Sequence, residues 1–213
     1  MATSATPVSD TKPTQPAGAL SLSDIQAQCW QQLSEAVDAP DHGFRTPVLA
    51  TATHGGANAR TVVLRKVDTD HRYVWFHTDA RADKVLELEA TPHALLLFWD
   101  AEKQIQIRLG IETRLHTDDY VADEHWQALA LSSRKMYLSE HPPGHSIDTP
   151  YPGFPVELGS ELPDKAQSEA GRPNFAVIEC RVLRMEYLHL SRAGQARACF
   201  QYEPVSQMTW LVP

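Results

Sequence analysis

The chain carries a series of short β-prone segments whose connections are mostly too short for helical crossovers. Thr46 to Thr53 is followed by His54-Gly55-Gly56-Ala57-Asn58 and then by Ala59 to Val67. Two strand-like runs around a Gly-Gly and Asn turn predict a hairpin. Tyr73 to Thr78, His93 to Trp99 and Gln104 to Leu115 come next. A parallel pair needs a crossover of about a dozen residues or more. Short turns between consecutive strands therefore predict an antiparallel sheet or barrel rather than βαβ units. His93 to Trp99 is almost continuously apolar, which predicts a central strand buried on both faces. In the next run Ile105, Ile107 and Leu109 share one face, and Gln104, Gln106 and Arg108 share the other. That period of two gives a strand with a polar side turned to solvent or ligand. Asn174 to Leu190, Ala196 to Tyr202 and Gln207 to Val212 are expected to close the sheet.

Helices fill the remaining stretches. Ser21 or Ser23 can cap a helix in which Ile25, Cys29, Leu33 and Val37 recur at spacing four. Ala39-Pro40-Asp41-His42-Gly43 ends it. Ala82 to Ala90 predicts a short helix stopped by Thr91-Pro92. Thr117-Asp118-Asp119 predicts an N-cap with acids in the first turn of a helix reaching towards Ala130. A second helix is expected from Ser132 to Ser139. Residues 141–173 are rich in Pro and Gly and read as a long loop or insertion. Residues 1–20, mostly Ala, Thr, Ser and Pro, read as a disordered tail. The domain reading is one domain over 21–213.

Composition narrows the function. With 27 acidic against 19 basic residues the net charge is −8, which argues against general nucleic-acid binding. The longest apolar run, Ala94 to Trp99, is too short to span a bilayer. Cys29, Cys180 and Cys199 are widely spaced with no C-x-x-C pair. Reduced, buried thiols in a cytoplasmic protein are the expectation. No classical catalytic triad, zinc motif or P-loop occurs. His141-Pro-Pro-Gly-His145 reads as a plain loop, and His125 and Trp126 as packing or surface residues. Ser132-Ser133-Arg134-Lys135 reads as a helix start with a solvated charge pair.

The informative block is Arg60 to Arg108, where eight basic and eight acidic residues balance to zero within an acidic chain. Arg60 and Arg65 are placed on one strand, Thr78 ends the next, and Arg81 and Lys84 begin the short helix. Guanidinium, ammonium, hydroxyl and free helix-start amides at one locus suit a phosphate. The plain alternative is surface charge, because Asp79, Asp83, Glu87 and Glu89 lie close by.

Four segments in order, Arg60-Thr-Val-Val-Leu-Arg65, Phe76-His-Thr-Asp-Ala-Arg-Ala-Asp-Lys84, Leu95 to Trp99 and Gln104-Ile-Gln-Ile-Arg108, resemble the pyridoxamine 5′-phosphate oxidase family of FMN-binding split barrels. The terminal Trp210-Leu-Val-Pro213 is similar to that family's end. The resemblance implies a mainly β, α+β fold: an antiparallel split β-barrel flanked by helices, dimeric, with FMN at the subunit interface. It implies that Arg60 and Lys84 bind the FMN phosphate with Thr78 donating a hydroxyl. Val62, Val63 and Leu64 would line the flavin ring, and Arg65 would lie near the ring or substrate. His77 stands where the family has Tyr. Gln106, or Gln104, would hydrogen-bond the ring's polar edge. Arg197 would complete the site. Asp83 would repel phosphate, with Arg81 in compensation. The late R-L-H-D-R segment of the vitamin B6 enzyme is replaced by Gly194-Gln-Ala-Arg-Ala-Cys-Phe200. The resemblance is thus to the general FMN-binding branch, and implies an FMN-dependent oxidoreductase acting on a small organic molecule. The alternative is a non-catalytic split barrel that binds flavin or haem.

Overall fold

A computed structural model describes residues 21–213; the tail expected over 1–20 lies outside the described residues. The chain begins with α1 (Leu22–Glu35), capped by Ser21, whose hydroxyl accepts the Asp24 amide while the Asp24 carboxylate accepts the Ser21 amide. Ile25, Cys29 and Leu33, at the spacing read from the sequence, are buried together with Trp30.

The strands are β1 (Val48–Thr53), β2 (Gly56–Thr61), β3 (Leu64–Asp68), β4 (Tyr73–Asp79), β5 (His93–Asp100), β6 (Ile105–His116), β7 (Phe175–His189), β8 (Ala196–Gln201) and β9 (Gln207–Leu211). They form one sheet in the order β2-β1-β5-β6-β7-β4-β3, with β8 on β7 and β9 on β8. Every pairing is antiparallel. The long strand β7 pairs with β6 over most of its length. Its first half also carries β4 and its second half β8, so the sheet forks there. The chain curls back at the far edge. The Val62 amide donates to the Pro47 carbonyl and the Leu64 amide to the Arg45 carbonyl, which ties the entry to β3 against the entry to β1.

Two sequence expectations are corrected. The run Ala59 to Val67 is not one strand: it breaks at Val62-Val63 into β2 and β3, so Arg60 and Arg65 sit on different strands. The break lets the chain turn from one sheet edge to the other. Strand β5 is buried on one face only, through Leu96 and Phe98, while Trp99 on the other face is 38% exposed. An apolar run reports hydrophobicity and not how many layers cover it.

The main core lies inside the curled sheet, where Phe44, Leu49, Phe76, Leu96, Phe98, Ile107, Leu109 and Phe200 are fully or almost fully buried. A smaller cluster of Trp75, Trp126, Phe175 and Val177 sits outside it. It is covered by α3 (Tyr120–Ala128), which Asp119 caps through the Ala122 amide. The helix expected over 132–139 is α4 (Leu131–Arg134) followed by a 3₁₀ turn. Residues 141–173 are mostly irregular, with α5 (Lys165–Ser168) flanked by 3₁₀ turns. This segment covers Arg134 and Lys135, which correct the solvated-pair expectation at 4% and 7% exposure. Arg134 donates to the Glu169 carboxylate, and Lys135 to the Gly159 and Glu161 carbonyls. No described helix is long and apolar enough to cross a membrane. Cys29, Cys180 and Cys199 are all free and buried.

Candidate functional site

The first locus is at one end of the barrel, beside α2 (Asp83–Ala90). Arg60 projects from β2 on the core side, opposite Leu49. Its Nη2 donates to Glu87 Oε2 at 2.7 Å and its Nη1 to Thr51 Oγ1 at 2.5 Å. Thr51 and Asn58 also donate to the Glu87 carboxylate, at 2.6 and 2.9 Å. Burial alone would raise the Glu87 pKa, but these hydrogen bonds hold it below the usual range. Lys84 Nζ donates to Thr78 Oγ1 at 3.0 Å and makes no ion pair among the described residues. Burial, and then the neighbouring Arg60 guanidinium, lower the Lys84 pKa. Ala82 at the N-cap of α2 offers no side-chain cap to the first-turn amides. A desolvated ammonium next to a guanidinium, a hydroxyl and an uncapped helix start is a combination that a phosphate relieves. The residues present therefore fit a phosphate-bearing cofactor.

Arg81 does not join this locus. Its guanidinium pairs with Asp79 at 2.7 Å and donates to the Ser139 carbonyl at 3.0 Å. The expected compensation for Asp83 is thereby corrected: Asp79, two residues away, claims Arg81 first. Asp83 itself is exposed.

The second locus opens on the other side of β4. Successive strand residues point to opposite faces, so Thr78 looks towards Lys84 while His77 looks towards α3. The β3–β4 register shifts between Leu64 and Lys66, leaving Arg65 at an irregularity of the kind that re-aims a side chain. Arg65, His77 and His125 line a pocket of about 470 Å³ together with Arg45, Lys66 and Glu124. His77 Nε2 lies 2.9 Å from His125 Nδ1. Burial first, then His125 and Arg65, depress the His77 pKa to about 3. Burial, then Lys66, also lowers that of His125. Arg65 is desolvated too, and its Nε is buried without a hydrogen-bond partner. His125 was read from the sequence as packing or surface. Only the spatial meeting of α3 with β4 makes it part of the site, and no local pattern marks that meeting.

The remaining residues lie elsewhere. Val62 and Leu64 are buried in the core, leaving Val63 as the half-exposed member of the trio. Gln104 has a positive φ of 55° in the turn before β6, and its Nε2 donates to the Ala101 carbonyl. Gln106 lies on the sheet, between Trp99 and Leu188, on the face opposite the core residue Ile107. Arg197 shares that outer face, and its Nη2 donates to Glu186 at 2.8 Å. Glu186 also pairs with Arg108 and Arg184. Three strand steps separate Arg60 from the strand of Gln106, roughly 14 Å along the sheet. A single chain thus brings Arg60, Thr78 and Lys84 together, and separately Arg65 and His77, but does not bring Gln106 or Arg197 to the phosphate locus.

Comparison with known proteins adds the following. Residues 27–117 match the pyridoxamine 5′-phosphate oxidase, FMN-binding domain family. A pyridoxine/pyridoxamine 5′-phosphate oxidase of Gloeothece citriformis (strain PCC 7424) is 27% identical over 172 residues, 70% of this chain and 77% of that protein. One of Thermosynechococcus vestitus is 34% identical over 110 residues, 51% of this chain and 50% of that protein. The chain therefore spans about half of some relatives' length and three quarters of another's. A pyridoxamine 5′-phosphate oxidase-related, FMN binding protein of Nostoc punctiforme PCC 73102 superposes with a TM-score of 0.69 at 18% identity, covering 92% of this chain and 100% of that one. PhzG from Burkholderia lata 383, in complex with tetrahydrophenazine-1-carboxylic acid, gives 0.68 at 20% identity, covering 88% and 91%. These two share the split-barrel fold.

Proposed function

Since residues 27–117 match the pyridoxamine 5′-phosphate oxidase, FMN-binding domain family, we propose that the chain is an FMN-dependent oxidoreductase acting on a small organic molecule. The observation that carries the reading is the pairing of two loci on opposite sides of one strand. Lys84 with Arg60 meets Thr78, and the Arg65 pocket begins at His77. Arg60 and Lys84 hold the phosphate by charge, and Thr78 adds a hydroxyl. FMN, when bound, supplies the hydride acceptor, so the chain needs no nucleophile of its own. Arg65 and the imidazoles orient the substrate, and the wall formed by Trp126, Phe175 and Tyr137 limits access of water from behind. Tyr137, with burial raising its pKa to about 12, stays protonated there.

We also propose that two copies assemble through the outer sheet face. Among the described residues that face is only partly buried at Leu95 and Leu97 and is exposed at Trp99. It carries Gln106 and Arg197, the residues that one chain leaves far from its own phosphate locus. A two-fold axis would give two equivalent sites, each drawing on both copies. The three buried thiols suit a cytoplasmic setting.

A visible spectrum of the purified protein, followed by anaerobic mixing with NADH, NADPH or amines, tests the reading. Flavin absorbance that bleaches on reduction supports it. A Soret band, or protein that stays colourless after FMN is added, overturns the cofactor assignment. Bound flavin that no reductant bleaches overturns the enzymatic one.

A further inference from the structure

We propose that His77 and His125 act as one proton-accepting unit, so that the pocket they share with Arg65 takes up a small organic anion together with a proton. This rests on reading that pocket as the substrate pocket. The two rings meet edge to face, with centroids 5.1 Å apart at 83°, and Nε2 of His77 faces Nδ1 of His125 at 2.9 Å. Two neutral imidazoles so placed share one hydrogen between the facing nitrogens. When the pair gains a proton, that hydrogen bond becomes charge-assisted and strengthens. A second proton is opposed by the first, so the pair titrates as a unit and takes one.

The charges around the pair decide when it does so. Arg65 and Lys66 face it from β3, Asp38 and Arg45 from the segment after α1, and Glu124 from α3. His116 on β6 and Glu179 on β7 also act on His125. Within the pocket lining three cations face Asp38 and Glu124 while the imidazoles are neutral, and the further carboxylate, Glu179, acts on His125 from β7. Arg65 makes no ion pair among the described residues, and its buried Nε lacks an acceptor. An anion lodged against Arg65 and Arg45 supplies that acceptor. It also cancels part of the field by which Arg65 and Lys66 disfavour a protonated imidazole. Ligand and proton therefore favour each other, and the coupling is reciprocal. The balance is simple: one anion and one proton from the buffer enter, and a neutral pair becomes a singly charged pair. No bond in the ligand changes.

The test uses the FMN-loaded full chain with benzoate, which does not itself titrate over this range, and calorimetry in two buffers of different ionisation enthalpy. Benzoate affinity should tighten on going from about pH 8 to about pH 5.5, approaching tenfold per pH unit where the uptake nears one proton. In H125N, where the amide can still meet His77 but cannot be protonated, the proton uptake and the pH dependence of benzoate affinity should both be lost, whatever the absolute affinity. Phenyl phosphate in parallel shows whether carboxylate or phosphate is preferred. Affinity for benzoate that ignores pH, H125N that retains the wild-type dependence, or no benzoate binding at all overturns the proposal. If H125N does not fold, the two-buffer measurement on the wild type still decides. Flavin absorbance of the same samples separates the failures: bound flavin without proton uptake sinks this inference alone, and absent flavin sinks the reading beneath it.

Discussion

His77→Phe should flatten the acid sensitivity of folding. In the folded chain the imidazole is held at a pKa of about 3, against an ordinary value near 6.5. In the unfolded chain nothing holds it down. Above about pH 6.5 neither state carries the proton, and the folded state is at full strength. As pH falls below that value the unfolded chain binds a proton that the folded chain refuses. Each pH unit then costs about 1.4 kcal/mol, until protonation begins in the fold near the depressed value. Between pH 7 and pH 5 the loss from this one residue is about 2 kcal/mol. The phenyl ring keeps the edge contact with Phe175, now 4.9 Å between centroids, while it removes the titration. Urea unfolding of both proteins at pH 7 and pH 5 is the assay. The wild type should lose about 2 kcal/mol more than the variant over that interval, whatever the variant's cost at pH 7. Equal losses in the two proteins would refute the argument, because they would mean that the imidazole is not desolvated in the fold.

Arg60→Ala and Lys84→Ala should each weaken FMN binding by about 1.5–3 kcal/mol, the scale of a charged hydrogen bond; a flavin-fluorescence titration reads this, and undiminished affinity in both removes the phosphate from this locus. The weakening should be larger at low salt where exposed charge contributes. Tyr202→Phe should destabilise the fold by about 1–3 kcal/mol. It strips the acceptor from the buried Trp30 indole at 3.0 Å and from Gln26 at 3.1 Å, and a denaturant midpoint that does not move would contradict this. Asp119→Ala should cost about 1 kcal/mol through the lost cap of α3. It should also free His116, whose Nδ1 lies 2.7 Å from that carboxylate; a thermal melt checks the first effect and the imidazole resonances the second.

The strands were legible because their signals are local. The alternation of Ile105, Ile107 and Leu109 and the turn at His54-Gly55 need only a few residues to declare themselves, and β6 and the β1–β2 hairpin follow them closely. Ser21 was legible as one of two candidate caps for the same reason, and the start of α3 was legible within Thr117-Asp118-Asp119, although Asp119, expected as a first-turn acid, is the cap itself. The break at Val62-Val63 was not, because both halves have the composition of a strand. What bends the chain there is closure against Arg45 and Pro47.

The phosphate locus was half legible. Arg60, Thr78 and Lys84 stand out by charge and order, but so does Arg81, and only the fold shows that Asp79 and the Ser139 carbonyl absorb it. By itself the sequence determined the antiparallel strand series, the capped helices and the candidates for binding an anion, since periodicity, turn chemistry and side-chain charge are written along the chain. Tertiary structure alone decided that Arg134 and Lys135 are buried, that Gln106 and Arg197 face away from Arg60, and that His125 meets His77. Those outcomes depend on which distant segments pack together. The depressed pKa values follow from that packing, because desolvation belongs to a side chain's surroundings and not to its identity.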